Sequence, residues 1–552
     1  MEPLPELDRV VSHMSTRSQK HHTETALEKS LEAENRKLED AEGRVVDEDT
    51  ENLTRSRSRT NKETDLEKGA QGEIPGSSMS NADTLAENDP FVVKWNGTDD
   101  PESPMNWPMS RKWKNMGVIS FITLITPLAS SMFAPAIPEV MMDFRNRSTT
   151  LSSFIVSVYL LGFAVGPIII APLSELYGRR WVYIACNYLF TAFTVACGRS
   201  TSIGMLIAFR LLSGAAGCAP LTLGGGSIAD MIPFEQRGKF MAIYGMGPLM
   251  GPIIGPIAGG YLGDSAGWRW IFYVLAIALG VISIVSTFVL DETHHPTLLR
   301  HKARQLNNEN NTDKYKSMYH SDLPPREIFT RAIWRPLKML VFSPIILLLS
   351  LYMSVVYGYL YLLFTTFYLV FQGIYGFSTG SVGLSYLGIG IGSFLGLIIF
   401  GILNDKVYIR LREKNGGDKP EYRLPMLTYS SWLIPVGMFM YGWTAEKHVH
   451  WVVPIIGTSF IGLGMLAAFM PIQTYLVDAF SFYAASAIGA NTILRSAVGA
   501  LLPLAGVPMY EALGIGPGNS LLGGIAVLMM PIPFFFQRYG ERIRQKFNVS
   551  FD

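Results

Sequence analysis

Two arginines and four carboxylates stand where charge is expensive. Arg210 and Arg495 fall inside long apolar runs, while Glu175, Asp230, Asp405 and Asp478 sit at the ends of such runs. A charge inside an apolar run is costly unless it faces protein or water, so each arginine is a candidate for handling charge or protons. The usual proton carrier is a carboxylate whose pKa is raised by burial, yet no Asp or Glu lies deep in any run. Arg210 and Arg495 are therefore candidates for a functional charge, with Asp230 and Glu175 as candidate electrostatic partners at a distance from Arg210. Asp230 and Glu175 also admit a plainer role, as a lock against Arg179, Arg180 or Arg237. Nothing points to catalysis: no nucleophile–base pair, metal-ligand cluster or nucleotide loop is present, and Gly224-Gly225-Gly226 lacks the spacing and lysine of a phosphate loop. Cys186, Cys197 and Cys218 lie in apolar segments without metal spacing or an even count, so they read as structural thiols. No metal or cofactor is expected.

The elements that must carry these residues are long helices. Of 552 residues, 49% are hydrophobic and 16% charged, against about 25% charged in an ordinary soluble protein. The formal net charge of +1 gives no footing for a nucleic-acid partner. Residues 1–110 are polar and poor in aromatics, which predicts a disordered tail with no cleavable signal peptide. Beyond them, spans are expected near 115–135, 152–172, 181–199, 203–229, 240–262 and 268–290, then near 344–370, 382–403, 425–443, 451–476, 485–507 and 517–537. Each is about the 20 residues that a helix needs to cross a bilayer. The division is thus a tail (1–110), a six-helix half (111–290), a central loop (291–343), a second six-helix half (344–537) and a short tail (538–552). Lys and Arg crowd alternate loops, which predicts that both termini and the central loop are cytoplasmic. Asn146-Arg147-Ser148 then becomes an outside glycosylation sequon, while the sequons at Asn52 and Asn96 go unused.

The halves echo each other. Spans two and eight end in Glu175 and Asp405, spans four and ten in Asp230 and Asp478, as expected of repeated halves that rock around a central site. Span five carries Gly251-Pro252-Ile253-Ile254-Gly255-Pro256-Ile257-Ala258-Gly259-Gly260, a composition tolerated where neighbouring helices cover the freed backbone and small residues allow close approach. Gly251, Gly255 and Gly259 recur every four residues, and their face is expected to meet a helix of the opposite half.

These residues carry a family resemblance over about residues 90–545. The run from Ala171 through Glu175, Gly178, Arg179 and Arg180 resembles the loop motif of the major facilitator superfamily, with Ala171, Glu175 and Leu176 departing from its general pattern. Arg210 with Gly214 and Gly217 is similar to its helix-four arginine motif, which implies a role in proton coupling for Arg210, with Asp230 and Arg495 as the further coupling candidates. Gly251, Gly255, Pro256, Gly259 and Gly260 are similar to its helix-five antiporter motif. Trp268-Arg269-Trp270, Glu292-Thr293-His294-His295-Pro296, Tyr483 to Ala487, Asn491 and Arg495-Ser496 resemble the twelve-span fungal drug:proton antiporters. The His-His-Pro variant and Tyr539-Gly540-Glu541-Arg542 are most similar to the polyamine/proton branch. The resemblance implies an all-α membrane protein of the major facilitator fold, with twelve transmembrane helices in two halves. It implies a proton-coupled pump of the multidrug-resistance kind, exporting small organic molecules from a plasma or vacuolar membrane as a functional monomer in the lipid bilayer. A polyamine/proton antiporter is the alternative, and a non-transporting receptor or scaffold is the alternative of another class. Tyr159, Phe163, Tyr357, Tyr359, Tyr361, Phe364, Phe367 and Tyr368 each read first as packing or lipid-facing residues, and together they are candidates for an aromatic cavity that takes a broad apolar or amphipathic substrate.

Overall fold

The computed structural model describes residues 90–547, apart from 98, 320–323 and 481–482. Residues 1–89 of the expected tail, Asn52 with its sequon, and the last five residues lie outside that range. The chain is already structured from residue 90, about twenty residues before the expected end of the tail. Strand β1 (Val92–Val93) pairs in parallel with β2 (Lys316–Ser317), matching Val92 to Lys316.

The first six long helices are α1 (Met109–Asp143), α2 (Thr149–Tyr177), α3 (Arg179–Gly198), α4 (Ile203–Met231), α5 (Phe234–Ala266) and α6 (Trp268–Val289). The expected central loop is largely helical, with α7 (His295–Glu309) and α8 (Pro325–Phe342). Then come α9 (Pro344–Phe371), α10 (Thr379–Asn415), α11 (Leu433–Glu446), α12 (Val452–Ala479), α13 (Ala484–Leu513) and α14 (Ile515–Lys546). Ten of these are long and apolar enough among the described residues to cross a membrane. The fifth and ninth expected spans are α5, 33 residues with three internal prolines, and α11, preceded by the short helix Pro425–Ser430. Several long helices are interrupted: α1 near residues 132–136, α4 at Cys218, α10 at Tyr386 and α13 at Leu502–Ala505.

Single glycines make the sharpest connections. Gly178 alone separates α2 from α3, at φ 89° and ψ 163°, a region that side chains with a Cβ avoid. Gly267 and Gly514 do the same between α5 and α6 and between α13 and α14. Within the first half α1 packs on α5, α2 on α4, and α3 on both α4 and α6. In the second half α10 packs on α12, α11 on α12 and α14, and α9 on α13. The halves meet where α2 lies against α13 and α5 against α10.

Candidate functional site

The charged end is built around Gly178. The Arg179 guanidinium donates from Nε to Asp230 Oδ2 at 2.6 Å and from Nη2 to Oδ1 at 3.3 Å. Both side chains are about 15% exposed, so this bidentate pair is shielded from full solvent screening. Gly226 leaves the room that the guanidinium occupies. Glu292, to which sequence reasoning gave no role, accepts from the backbone N–H groups of Arg179 (2.9 Å) and Arg180 (3.1 Å). These are the orphan donors at the start of α3, and a carboxylate there also meets the positive end of the helix dipole. Thr293 donates to Asp230 at 3.4 Å, and His295 Nε2 lies 3.0 Å from the Asp230 carbonyl oxygen, which accepts its proton. Burial, with Arg179 and Arg300 nearby, pushes His294 down to about 3, so the ring is neutral.

Two expectations are corrected here. The Arg179–Asp230 pair ties the start of α3 to the end of α4 inside the first half, rather than locking across the mouth. Glu175 is exposed and makes no ion pair or hydrogen bond at contact distance among the described residues, so the charges of Arg179 and Arg335 act on it only through space. Arg180 turns away from Asp230 and donates to Thr287 O at 3.1 Å. The second half repeats the plan: Arg423 donates to Asp405 and to Asp478, each at 2.9 Å. Both carboxylates were visible in the sequence as equivalents of Glu175 and Asp230, but the arginine joining them was not.

Arg210 lies at the centre of the first half, 1% exposed. Its Nη2 donates to Ser130 O (3.1 Å) and Val156 O (3.3 Å), so one side chain joins α1, α2 and α4. The rings of Phe133, Tyr159 and Phe272 surround it at 5.2 to 5.8 Å. Ser130 Oγ also meets Tyr361 Oη of α9 at 2.8 Å, and Tyr361 packs against Tyr357 with centroids 5.1 Å apart. Tyr357 in turn carries the Arg495 guanidinium at 4.8 Å. The two candidate arginines, one from each half, are thus connected through Ser130 and two tyrosines. Tyr159, Phe163, Tyr359, Tyr361 and Phe367 are buried in packing, and Phe364 is buried against the small central cavity.

The glycine face of α5 also differs from expectation. A Cβ at Gly251 would come within 2.8 Å of Leu128 N, one at Gly255 within 2.5 Å of Ser131 Oγ and 3.0 Å of Leu128 O, and one at Gly259 would overlap Met132 O. These three glycines seat α5 on α1 of the same half. The contact with the opposite half belongs to the next residues round the helix: a Cβ at Gly260 would come within 2.8 Å of Thr379 O, and one at Gly383 within 2.5 Å of the Pro256 carbonyl oxygen. Spacing revealed a small-residue face but not its partner. Nearby, a cavity of about 30 Å³ is lined by Pro252 and Ile253 of α5, Leu360 and Phe364 of α9, Tyr386 of α10 and Met465 of α12, among others. It has room for about two waters. Asn146 lies in the loop between α1 and α2, where its Oδ1 accepts from Ser148 N at 2.8 Å.

Comparison with known proteins places this architecture. Residues 119–503 match the family model described as Major Facilitator Superfamily. The MFS-type transporter penM of Penicillium rubens is 52% identical over 91% of this chain and 99% of its own. The MFS transporter cpaT of Aspergillus oryzae is 50% identical over 87% and 96%. The efflux pump radE of Floropilus chiversii is 49% identical over 84% and 87%. Among solved structures, a D-xylose–proton symporter superposes with a TM-score of 0.60 at 16% identity, covering 77% of this chain and 98% of that one. That last likeness speaks to fold alone.

Proposed function

The chain belongs to the major facilitator superfamily, a multi-pass membrane transporter rather than an enzyme, and on that premise we propose that it exports small organic molecules in exchange for protons by alternating access. The observation that carries the proposal is the double seating of α5. Its glycine stripe fixes it to α1, while against α10 of the other half Pro256 and Gly260 make backbone contacts and the side chains of Ile253 and Tyr261 lie on the bare glycines Gly390 and Gly380. A seam of that kind can part and re-form with little repacking, which is what rocking halves require. The helix-five resemblance and a relative named an efflux pump support the outward direction. Arg210, a buried cation held by carbonyls of two neighbouring helices, supports a coupling role. The substrate class in this reading is drugs, toxins or secondary metabolites, the location the plasma membrane, and the working unit a monomer with cytoplasmic termini.

The test is accumulation of a panel of dyes, azoles and labelled spermidine in cells with and without this chain, before and after a protonophore. The reading expects lower accumulation of dyes or azoles only while the gradient stands. Higher accumulation would make the protein an importer. Efflux of spermidine alone would establish the polyamine alternative, and no change with any compound would favour the receptor reading. Impermeant labelling of Asn146→Cys in intact cells checks orientation, and labelling only after permeabilisation would reverse it.

A further inference from the structure

We propose that Arg495, held between the rings of Tyr357 and Phe469, binds the carboxylate of an anionic small molecule with a flat apolar body. This rests on the reading of the chain as a small-molecule transporter, but on neither its direction nor its coupling. The guanidinium carbon lies 4.8 Å from the Tyr357 ring centre and 5.4 Å from that of Phe469. Ring faces hold the planar group while leaving its N–H edge unused. Arg495 makes no hydrogen bond and no ion pair among the described residues, and its Nε is buried without a partner. Arg210, by contrast, has two carbonyls to donate to. A half-buried arginine with five unused donors is poorly satisfied by its own protein, and the acceptor that fits its fork is a carboxylate.

The position is right for a ligand. Phe469 lies one turn beyond Met465, and Tyr357 one turn before Leu360 and Tyr361, so both rings continue the faces that line the central cavity. Gly499, one turn beyond Arg495, faces Tyr357 and also Leu160 of the opposite half, which puts the site on the boundary between halves. Two further polar groups lie one turn away along the same helices. Asn491 is buried with neither amide atom partnered, and Gln473 has an unpartnered Oε1. They offer acceptors and a donor one helical turn from Arg495 and Phe469. Of the charged residues inside the long helices, those fully buried among the described residues are Lys112 and Arg210, both cationic, while the carboxylate of Asp230, about 15% exposed, is already paired with Arg179. A polycation would find no counter-charge here; an anion would.

The probes are three compounds sharing one ring system: 2-naphthoate, 2-naphthamide and 2-naphthylmethylamine. Each is titrated at pH 7.5 against the purified full chain in detergent, with binding read from tryptophan fluorescence. Wild type should bind naphthoate at least tenfold more tightly than the amide or the amine. Arg495→Gln should lose at least tenfold for naphthoate while holding the amide within twofold. Should Arg495→Gln fail to fold, Arg495→Lys carries the test with a loss of at least threefold for the acid, because a point charge cannot reproduce the fork. No preference for the acid in wild type, or a loss shared equally by all three probes, overturns the proposal. Detergent holds no gradient, so that failure leaves the export reading standing. An import result in cells would sink the export reading and leave this site intact.

Discussion

Replacing Gly178 by alanine should break the charged end of the first half in a way that can be traced to one neighbour. Two costs arise together. The backbone at φ 89° and ψ 163° is a region essentially reserved for glycine, and forcing a Cβ into it costs about 1–3 kcal/mol. The new Cβ would also collide with the Glu292 carboxylate, which must then leave the amides of Arg179 and Arg180. Losing two cap bonds to a half-buried carboxylate costs about 1–2 kcal/mol more. The total is roughly 2–5 kcal/mol, and its two parts are separable by a double-mutant cycle. Glu292→Ala alone should lower the melting temperature of the purified protein in detergent. Introduced into Gly178→Ala, it should lower it little further, because the carboxylate has already been displaced. Wild-type melting of Gly178→Ala, or strictly additive shifts in the double variant, would refute the account.

Three other outcomes follow from the geometry. On α5, Gly259→Ala should impair transport per molecule at the surface more than Gly255→Ala, and Gly245→Ala not at all, since added Cβ atoms would meet Met132 O, Ser131 Oγ and open space respectively; equal activities would mean that the α1–α5 contact is not held at these distances. Arg210→Ala should abolish coupled efflux while the protein reaches the membrane, and Arg210→Lys should recover little, because one guanidinium serves carbonyls on two helices; normal efflux by Arg210→Ala removes the residue from the mechanism. His294 is pushed down to about 3 in the folded protein from about 6.5, so the folded state binds fewer protons and stability is lost as pH falls below 6.5. Between pH 7 and pH 5 that loss is about 2 kcal/mol, and it should be absent from the melting curves of His294→Gln; identical pH profiles for the two proteins would count against a buried, neutral ring.

The long helices were legible because apolar length is a local property: α5 could be placed despite Pro248, Pro252 and Pro256. The carboxylates at helix ends, and the pairing of Asp230 with one of the neighbouring arginines, were legible for a related reason, since repeated halves put them at matching positions. What escaped notice depends on contacts between distant segments. Glu292 caps a helix whose first residue is 113 positions earlier, and no spacing rule connects them. The stretch 90–107 and α7 are too polar to announce themselves, and they are ordered by one another, through Trp95 on His295 and Lys302 on Asp100 and Glu102. The partner of the Gly251–Gly255–Gly259 stripe could not be read either, because a period identifies a face and says nothing of what lies opposite.

The pairing of Val92 with Lys316 imposes an order on how this protein is made. The two strands are separated by the entire first six-helix half, so β1 has no partner until residue 317 has left the ribosome. At about 5–20 residues per second that interval is roughly 10–45 s, long compared with the microseconds in which hairpins form. The salt bridges Lys302–Asp100 and Arg111–Asp291 close the same circuit and wait equally long. Throughout that time Val92 and Val93 wait without the strand they pair with. The strand pair can therefore form only after every helix of the first half has been synthesised.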